Sequence, residues 1–570
     1  MNIAASNATP PASSDPIDPR TPRSPNPIRS DLPKNRGTWG STPSVWEATF
    51  SGSTDHSSPS HDTGARAILH PLVEDTSTDV CVVGAGIAGL STAYMLAMEG
   101  NSVVVINDGP IGNGMTGRTT AHLASALDDR YYNLERYHGR EGAKLAAESH
   151  TAAIDRIDQI VSAEAIDCDF SRLDGFLFLP PGASLATLDR EFEAAFRAGL
   201  RVERVARAPL PGFHTGPCLR FPRQGQFHPL KYLHGLADAI LRNGGRIFTG
   251  SRVVGIKGGK AARVETADGY RVDAASVVVA TNTPVNDRYS IHTKQAPYTT
   301  YVIGLEVPQD TIAPALFWDT AEMAGLERHI GPVPYHYVRL ANTGDSSQTL
   351  VVGGEDHKTG QAHDCAQRFT RLERWARVRF PAAGKVAFNW SGQVMEPIDG
   401  LAFIGRNPAD EPNVYIATGD SGNGMTHGTI AGMLITDLIN RGESRWAGIY
   451  DPSRKPVRAY AEYAKENLNV VAQFANYLAP ADFASTEDLK PGEGGIIRQG
   501  LKKIAAYRDD TGTLHEFSAI CPHMKCIVKW NATEKIWDCP CHGSRFDALG
   551  RVLNGPAISG LASIAAPAKA

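Results

Sequence analysis

The chain has little of several features that would indicate a function by themselves. Only eight of its 570 residues are cysteine, aromatic residues make up 8% and the formal net charge is −4. A charge this small gives no broad basic surface for nucleic acid. No apolar run approaches the roughly 18 residues that a membrane helix needs. No secretory signal is visible at the amino terminus, so the expected location is the cytoplasm.

The length predicts several domains, at about 150 residues each. Residues 1–45 are rich in proline, serine and asparagine and show no hydrophobic periodicity. Such a segment cannot bury enough apolar surface to offset its ordering entropy, so it is predicted to be a disordered leader. The few cysteines are unevenly placed, because four of the eight lie between residues 521 and 541.

A nucleotide-binding motif follows the leader. The sequence TDVCVVGAGIAGL predicts a strand over 80–83, a glycine turn and a helix to about Met98, with a second strand over 103–106. Glycines in such a turn let a pyrophosphate approach the helix N-terminus. The predicted dinucleotide-binding residues are Gly84, Ala85, Gly86, Ile87, Ala88 and Gly89. The alternative is a glycine-rich turn without a ligand. Asn107, followed by Asp108, stands where an acidic residue normally holds the ribose.

Several later segments resemble the D-amino-acid oxidase family of FAD-dependent oxidoreductases. They include the loop DGPIGNGMTGRTTAHL, the strand SVVVATN and the loop and helix NVYIATGDSGNGMTHGTIAG. The resemblance covers about 76–450. It implies a Rossmann-like α/β FAD-binding domain (about 76–125, 225–285 and 390–440) interleaved with an α+β substrate domain (126–224 and 286–389). The FAD contacts that it implies are Arg118, Thr119, Thr120, Val253, Val254, Ala280, Thr281, Gly422, Gly424, Met425 and Thr426.

The substrate domain offers three candidate catalytic residues. No second dinucleotide motif is visible, which favours an organic substrate, not NADH, as the reductant of the flavin. In PYHYVRL, Tyr335 and Arg339 fit the spacing of the arginine that grips a substrate carboxylate in the resembling family; a guanidinium binds a carboxylate bidentately. The alternative for Arg339 is a surface strand position. His122 is a candidate for approaching the flavin or for a helix-start residue satisfied by backbone.

The cysteine-rich segment has the pattern Cys-x-His, fifteen intervening residues, then Cys-x-x-His. Zinc is the alternative metal for these ligands. Zinc fingers, however, place two cysteines on one knuckle and two histidines on a helix. One cysteine and one histidine on each knuckle resembles a Rieske [2Fe–2S] centre, which implies iron ligation by Cys521, His523, Cys539 and His542. The resemblance also implies a disulfide between Cys526 and Cys541. It predicts an all-β Rieske domain at 488–570, after a helical linker at 451–487.

Three residues of this domain set expectations about its chemistry. Lys525 stands where the family commonly has glycine. Ser544 matches a serine whose hydroxyl donates toward the cluster sulfur in high-potential Rieske proteins. Phe546 replaces the tyrosine that supplies a second hydroxyl, and fewer hydrogen bonds to sulfur leave the reduced cluster less stabilised. The sequence therefore predicts a reduction potential in the lower part of the Rieske range.

Together, the two resemblances predict an enzyme that oxidises a small amine or amino acid by hydride transfer to FAD. Electrons would then pass singly through the [2Fe–2S] cluster to a protein or quinone acceptor. Two alternatives stay open: the cluster delivers electrons inward to a flavin monooxygenase or reductase, or the chain is a non-catalytic electron-transfer module.

Overall fold

The computed structural model describes residues 42–50, 69–286, 290–320, 335–344, 347–455 and 457–564. Their helices, in chain order, are α1 (Val45–Thr49), α2 (Ile87–Met98), α3 (Tyr131–Ala163), α4 (Leu185–Arg197), α5 (Pro229–Arg242), α6 (Cys365–Arg379), α7 (Gly424–Asn440), α8 (Ala447–Tyr450) and α9 (Tyr460–Gln473). Short 3₁₀ turns add Met115–Arg118, Val457–Ala459, Phe474–Tyr477 and Thr486–Asp488. No helix in these ranges has the length and apolarity to cross a bilayer.

The strands form two large sheets and two small ones. The first seventeen are β1 (Thr76–Val83), β2 (Val103–Ile106), β3 (His122–Leu123), β4 (Ser171–Phe178), β5 (Glu203–Val205), β6 (Cys218–Gln226), β7 (Arg246–Phe248), β8 (Val253–Lys257), β9 (Ala262–Thr266), β10 (Arg271–Val279), β11 (Gln295–Pro308), β12 (Leu316–Asp319), β13 (His336–Asn342), β14 (Ser347–Lys358), β15 (Val386–Pro397), β16 (Phe403–Arg406) and β17 (Val414–Thr418). The last seven are β18 (Gly494–Gln499), β19 (Lys502–Arg508), β20 (Leu514–Ser518), β21 (Lys529–Asn531), β22 (Ile536–Asp538), β23 (Arg545–Asp547) and β24 (Val552–Asn554).

The nucleotide-binding sheet has the order β16-β17-β10-β1-β2-β7, and β8 and β9 extend it from β10. Its central strands β17, β10, β1, β2 and β7 are parallel. The second half of β1 is buried throughout, which is why it reads as a continuous apolar run without alternation. The predicted strand, turn, helix and second strand are all present, and the predicted α/β class is confirmed.

The second large sheet is mixed and has the order β15-β11-β14-β13-β12-β4-β6-β3, with β5 against β6. Most of its strands come from the two predicted substrate segments, while β3 comes from the predicted FAD-binding segment 76–125. The strand β15 differs from expectation. Its residues 390–397 fall in the predicted FAD-binding segment 390–440, yet β15 pairs along its length with β11 of the second sheet. The nucleotide-binding sheet therefore resumes only at β16.

The first described residues, 42–50, also differ from the predicted leader, which was to extend to residue 45. Ser44 caps α1, and Val45 and Trp46 are buried. The indole Nε1 of Trp46 donates to the Thr119 carbonyl. A single turn of helix is ordered here because one large aromatic ring enters the core, which composition over 45 residues does not reveal. Residues 1–41 lie outside the described residues.

The C-terminal part is all-β, as predicted, with a three-stranded sheet (β18-β19-β20) and a four-stranded sheet (β21-β22-β23-β24). The helix α9 and the turn after it lie within the predicted helical linker at 451–487. Both small sheets share a buried core with the four clustered cysteines. The loops that carry these cysteines are thereby held at the boundary with the oxidoreductase part.

Candidate functional site

A cavity of ≈270 Å³ lies between the two large sheets, with the glycine turn after β1 at one end. Gly84 has φ +110°, and a Cβ there would lie 2.4 Å from the Ala280 carbonyl oxygen. A Cβ on Gly89 would lie 1.9 Å from the Gly84 carbonyl oxygen. The turn is therefore compressed between β10 and α2. Its backbone is left open to the cavity, as a pyrophosphate requires.

Most of the predicted FAD contacts line this cavity. They are Gly84, Ala85, Gly86, Ile87, Ala88, Asn107, Asp108, Arg118, Thr119, Thr120, Val253, Ala280, Thr281, Gly422, Gly424 and Met425. Three do not line it. Gly89 acts through packing, Val254 is turned toward solvent, and the Thr426 hydroxyl is bonded to His150 and the Asn423 carbonyl. Strand alternation gives the cavity to Val253 and turns Val254 away from it.

The predicted ribose contact moves by one residue. The Asn107 side chain is already used, since its Oδ1 accepts from the Ala85 amide and its Nδ2 donates to two carbonyls and Asn113. These bonds brace the glycine turn. The Asp108 carboxylate is exposed at the cavity wall, so Asp108 stays the predicted acid for the ribose hydroxyls.

Arg118 lines the cavity but is anchored away from it. Its guanidinium donates to the Ser391 and Thr42 carbonyls. Its Nη2 lies 3.0 Å from Glu534 Oε1, and both side chains are almost fully buried. Glu534 belongs to the turn between β21 and β22, so this ion pair joins the flavin loop to the cysteine-bearing part of the chain.

The far end of the cavity is acidic and aromatic. Tyr335 donates to Asp128 Oδ2 at 2.6 Å, and Gly422 lies against the same carboxylate, where a Cβ would come within 2.2 Å of that oxygen. Tyr337 and Asp356 complete this wall. Burial and the nearby Asp128 raise the pKa of Tyr335 well above its ordinary value, so it stays a neutral donor.

Asp356 has an unused acceptor. Its Oδ1 is enclosed and has no hydrogen-bond partner among the described residues. Burial, opposed by a bond from Thr300 and reinforced by repulsion from Asp128, raises its pKa to about 7. An enclosed carboxylate oxygen without a donor is costly. The arrangement is suited to a ligand that brings a positive charge and N–H groups.

His122 lines the cavity, as predicted, but both ring nitrogens are engaged. Nε2 lies 3.3 Å from the Val338 carbonyl oxygen and must donate to it, so Nδ1 accepts from the Thr120 hydroxyl at 3.0 Å. Burial, with the Arg339 charge nearby, lowers the pKa of His122 to about 3. His122 is a neutral wall residue with no nitrogen available to take a proton.

Arg339 does not line the cavity, which contradicts its predicted role as the substrate-carboxylate ligand. Its guanidinium donates to the Ala121 and Phe227 carbonyls and lies 4.9 Å from the Trp46 ring centroid. Arg339 shares a face of β13 with Tyr337. Two residues further along, however, that face is covered by α1 and by the chain at Ala121 and Phe227. Arg339 is a structural residue at this place.

The four predicted cluster ligands are brought together. The thiols of Cys521 and Cys539 are buried and within hydrogen-bond reach of each other. The rings of His523 and His542 have centroids 5.1 Å apart. His542 Nδ1 is enclosed without a hydrogen-bond partner among the described residues, as expected of a metal ligand. Two thiols and two imidazoles at one place match the donor set of a Rieske cluster.

The disulfide between Cys526 and Cys541 is present, which confirms that prediction. It ties the two ligand loops together. The Ser544 hydroxyl is directed at the Cys521 sulfur and accepts from the Ala557 amide. Lys525 has φ +65°, in the left-handed region that glycine adopts without strain. This backbone conformation explains why Rieske proteins commonly have glycine at the position of Lys525.

Both ligand histidines face the oxidoreductase part of the chain. His292 is buried with its ring centroid 5.0 Å from that of His523 and 5.9 Å from that of His542. Gln393 lines the cavity and donates from Nε2 to the Gly543 carbonyl at 3.0 Å. One side chain therefore connects the flavin cavity to the residue next to a cluster ligand.

Sequence reasoning missed Asp128, Asp356, Gln393, His292 and Glu534. Asp356 had a weak signal, since it is the second of two acids that follow the apolar run LVVGG. Asp128 lies just before α3, where acids are common for other reasons. The remaining three act through contacts across more than a hundred residues, and no local pattern marks them.

Comparison with known proteins agrees with both halves of the chain. Residues 79–438 match the family model of the FAD dependent oxidoreductases, and residues 480–565 match that of the Rieske [2Fe-2S] domain. A putative Rieske 2Fe-2S iron-sulfur protein, YhfW, of Bacillus subtilis strain 168 is 30% identical over 495 residues, covering 86% of this chain and 94% of that protein.

Two further similarities concern the oxidoreductase part. Gamma-glutamylputrescine oxidoreductase of Escherichia coli K12 is 29% identical over 401 residues, covering 69% of this chain and 90% of that enzyme. Glycine oxidase from Geobacillus kaustophilus has a similar fold, with a TM-score of 0.55 at 18% identity over 66% of this chain and 99% of that one.

Proposed function

Because the chain belongs to the family of FAD-dependent oxidoreductases and carries a Rieske [2Fe–2S] domain, we propose that it oxidises a small amine and passes the electrons singly through the cluster to an external acceptor. When bound, FAD would supply a hydride acceptor for the C–H bond next to the amine nitrogen, and the cluster would supply a carrier of single electrons. The chain's own residues bind the cation, hold the two cofactor sites together and screen both from water.

The observation that carries the proposal is the contact of Gln393. It lines the flavin cavity and donates to the Gly543 carbonyl, and its Oε1 accepts from Asn554 Nδ2 at 2.6 Å. Both partners belong to the Rieske domain. A non-catalytic relay would need no acidic substrate wall. An oxidase that uses only oxygen would need no cluster loop sealed against its flavin cavity.

An amine is favoured over an amino acid by the charge of the cavity. The acids Asp128 and Asp356 face its far end, and the unused Oδ1 of Asp356 is suited to an ammonium. Arg339, the predicted carboxylate ligand, points elsewhere. Among the described residues that line the cavity, the two arginines are Arg118 and Arg252, on the side of the dinucleotide motif. The likeness to gamma-glutamylputrescine oxidoreductase supports an amine as substrate.

The overall reaction balances with two one-electron acceptors. A primary ammonium R–CH2–NH3⁺ loses a hydride to the flavin and a proton to solvent, and the resulting iminium is hydrolysed by water. The products are the aldehyde and ammonium. Two oxidised acceptors each gain one electron, and two protons are released for each turnover.

The first test separates the two half-reactions. Substrate candidates, a panel of amines and amino acids, are mixed anaerobically with the protein, and flavin absorbance is followed. In His542→Ala the cluster should be lost while amines still bleach the flavin at near the wild-type rate and acceptor turnover collapses. If acceptor turnover survives in His542→Ala, the cluster lies off the main path and the proposal fails.

The second test concerns the amine. Asp356→Asn should lower kcat/KM for amines roughly 10- to 100-fold, because a charged hydrogen bond to the ammonium is lost. This corresponds to a loss of about 1.5–3 kcal/mol of transition-state stabilisation. Glu306→Gln, a half-exposed acid on β11 paired with Lys385, is the matched control and should change little. Equal activity of wild type and Asp356→Asn would remove the basis for an amine substrate.

The direction of electron flow is tested by the same bleaching experiment. The alternative, in which a protein donor sends electrons inward through the cluster, predicts that no amine or amino acid bleaches the flavin anaerobically. A reduced one-electron donor would then do so in wild type and fail in His542→Ala.

A further inference from the structure

The Rieske domain has a covered side and an open side. His292 of the oxidoreductase part lies against both ligand histidines, His523 and His542. Gln393 covers Gly543 of the second loop. The first loop has an outward side, where Lys525 is exposed and Ile520 is partly exposed. Electrons that enter from the flavin side therefore have a second, open side from which to leave.

A short path of hydrogen bonds connects the exposed side of the first ligand loop to the predicted cluster ligand Cys521. The Lys525 amide donates to the Cys521 carbonyl at 3.0 Å, and the Tyr477 hydroxyl donates to the Lys525 carbonyl. Tyr477 ends the turn that follows α9. The next residue, Leu478, is 84% exposed. The exposed apolar side chain of Leu478 thus directly follows Tyr477, the residue that is hydrogen-bonded to the first ligand loop.

The surroundings of Leu478 form one continuous surface. Arg498 donates to the Tyr477 carbonyl, and Lys503 donates to the Ala479 carbonyl. These two residues face each other across the hairpin of β18 and β19, whose tip carries the 99% exposed Leu501. The Lys503 carbonyl accepts from the Ala519 amide, which brings Ile520 to the same place.

We call this surface the basic face and define it as Leu478, Leu501 and Ile520 with the exposed cations Arg498, Lys502 and Lys525. Lys503 and Lys529 add positive charge beneath it, and Asp482 is the acid whose charge reaches Lys503. An apolar centre with a positive border is the composition of a docking site for a negatively charged protein.

Lys525 gives an independent indication that this charge is used. It adopts φ +65°, where glycine would be unstrained. A strained residue beside a redox centre points to a function for its side chain. Its ammonium group is exposed on the open side of the first ligand loop.

We propose that the basic face is the docking surface for an acidic one-electron carrier protein, which collects electrons beside Cys521. The inference rests on the proposed function and adds the exit surface and the charge of the partner. Each oxidised carrier takes one electron from the reduced cluster, and no proton is transferred. Two carriers dock in turn for each substrate molecule oxidised.

The test uses the full chain with both cofactors and measures binding without turnover. The double variant Arg498→Glu, Lys502→Glu reverses two exposed charges of the basic face. Arg201→Glu, Lys260→Glu reverses two exposed charges on the oxidoreductase part and is the matched control. The probes are an acidic plastocyanin and a basic cytochrome c, titrated by calorimetry at low ionic strength. The cluster's visible circular dichroism verifies that each variant is loaded.

The face variant should bind the acidic plastocyanin at least tenfold more weakly than wild type does, since close charges act within a Debye length of about 10 Å at 0.1 M salt. Binding of the basic cytochrome c should not weaken. The control should stay within twofold of wild type. Leu501→Ser should weaken plastocyanin binding at high salt as well, because its contribution is apolar.

Three results would overturn the inference. The first is that the wild-type protein does not bind plastocyanin. The second is that the face variant binds it with an affinity within twofold of wild type. The third is that the control variant loses as much affinity as the face variant does. A wild-type dimer that the face variant dissociates, or binding to anionic lipid vesicles that the face variant abolishes, would assign the surface to another partner. Anaerobic flavin bleaching by amines is independent of all these outcomes, so it tells a failure of the docking surface from a failure of the proposed function.

Discussion

Breaking the buried ion pair between Arg118 and Glu534 should destabilise the protein far more than breaking the exposed pair made by the next residue, Lys535, with Asp510. The Glu534 carboxylate accepts from Arg118 Nη2 at 3.0 Å, from the Ser391 amide and hydroxyl at 3.0 and 2.6 Å, and from the Thr42 hydroxyl at 3.1 Å. The Arg118 and Glu534 side chains are 3% and 1% exposed. Glu534→Ala would leave a buried guanidinium and three further donors without their acceptor.

Removing one partner of a buried pair costs about 3–5 kcal/mol. Arg118 keeps its bonds to the Thr42 and Ser391 carbonyls, which places the expected loss for Glu534→Ala toward the lower end, about 3 kcal/mol. Glu534→Gln keeps the shape and one acceptor oxygen and should lose about 1–3 kcal/mol. The control is Asp510→Asn, since Asp510 is 79% exposed and lies 3.7 Å from Lys535, and its loss should stay below about 1 kcal/mol.

The free energy of unfolding is measured by urea titration at pH 7, followed through the cluster's circular dichroism and flavin absorbance. Because Arg118 lines the flavin cavity, Glu534→Ala should also weaken FAD binding, while Asp510→Asn should not. A loss below 1 kcal/mol in Glu534→Ala, or one equal to that of the control, would refute the view that this pair joins the two parts of the chain.

Four further outcomes are expected. Thiol counting on unfolded, unreduced apoprotein should find six reactive thiols, and eight would contradict the disulfide; the six are Cys81, Cys168, Cys218, Cys365, Cys521 and Cys539. Phe546→Tyr should raise the reduction potential measured by spectroelectrochemical titration, because a second hydroxyl would stabilise the reduced cluster, and an unchanged or lower value would count against this. The kcat/KM for an amine should rise with pH through about 7 in wild type, because Asp356 is neutral below its raised pKa and charged above it. A flat profile would argue against a role of the Asp356 carboxylate in binding the amine. Arg339→Ala should lower the free energy of unfolding by about 1.5–3 kcal/mol through two lost carbonyl bonds and leave KM near wild type; the opposite pattern would restore its predicted role.

The features that could be predicted from the sequence are those whose residues lie close together along the chain. The glycine turn at Gly84 needs a strand before it and a helix after it, and all three lie within twenty residues. The ligand pairs around Cys521 and Cys539 are likewise local. The two resemblances then gave the fold class and both cofactors.

What could not be predicted depends on which distant segments meet. Asp356 and Asp128 form one acidic wall although more than two hundred residues separate them. Arg339 had the right spacing from Tyr335, but α1 and the chain at Ala121 cover that level of β13. Spacing along a strand determines which face a residue takes, and only the packed neighbours determine whether that face is cavity or core.

The segment around α1 has a consequence for how the protein is made. Thr42 contacts Glu534 across 492 residues, and Trp46 reaches the flavin loop. On the ribosome, this early segment cannot complete its contacts until almost the whole chain has emerged. Long-range contacts of this kind close late because the loop entropy must be overcome first. The Rieske domain is therefore not a detachable module: a chain that stops before it would leave the segment at Thr42 and the flavin loop at Arg118 without their contacts to Glu534.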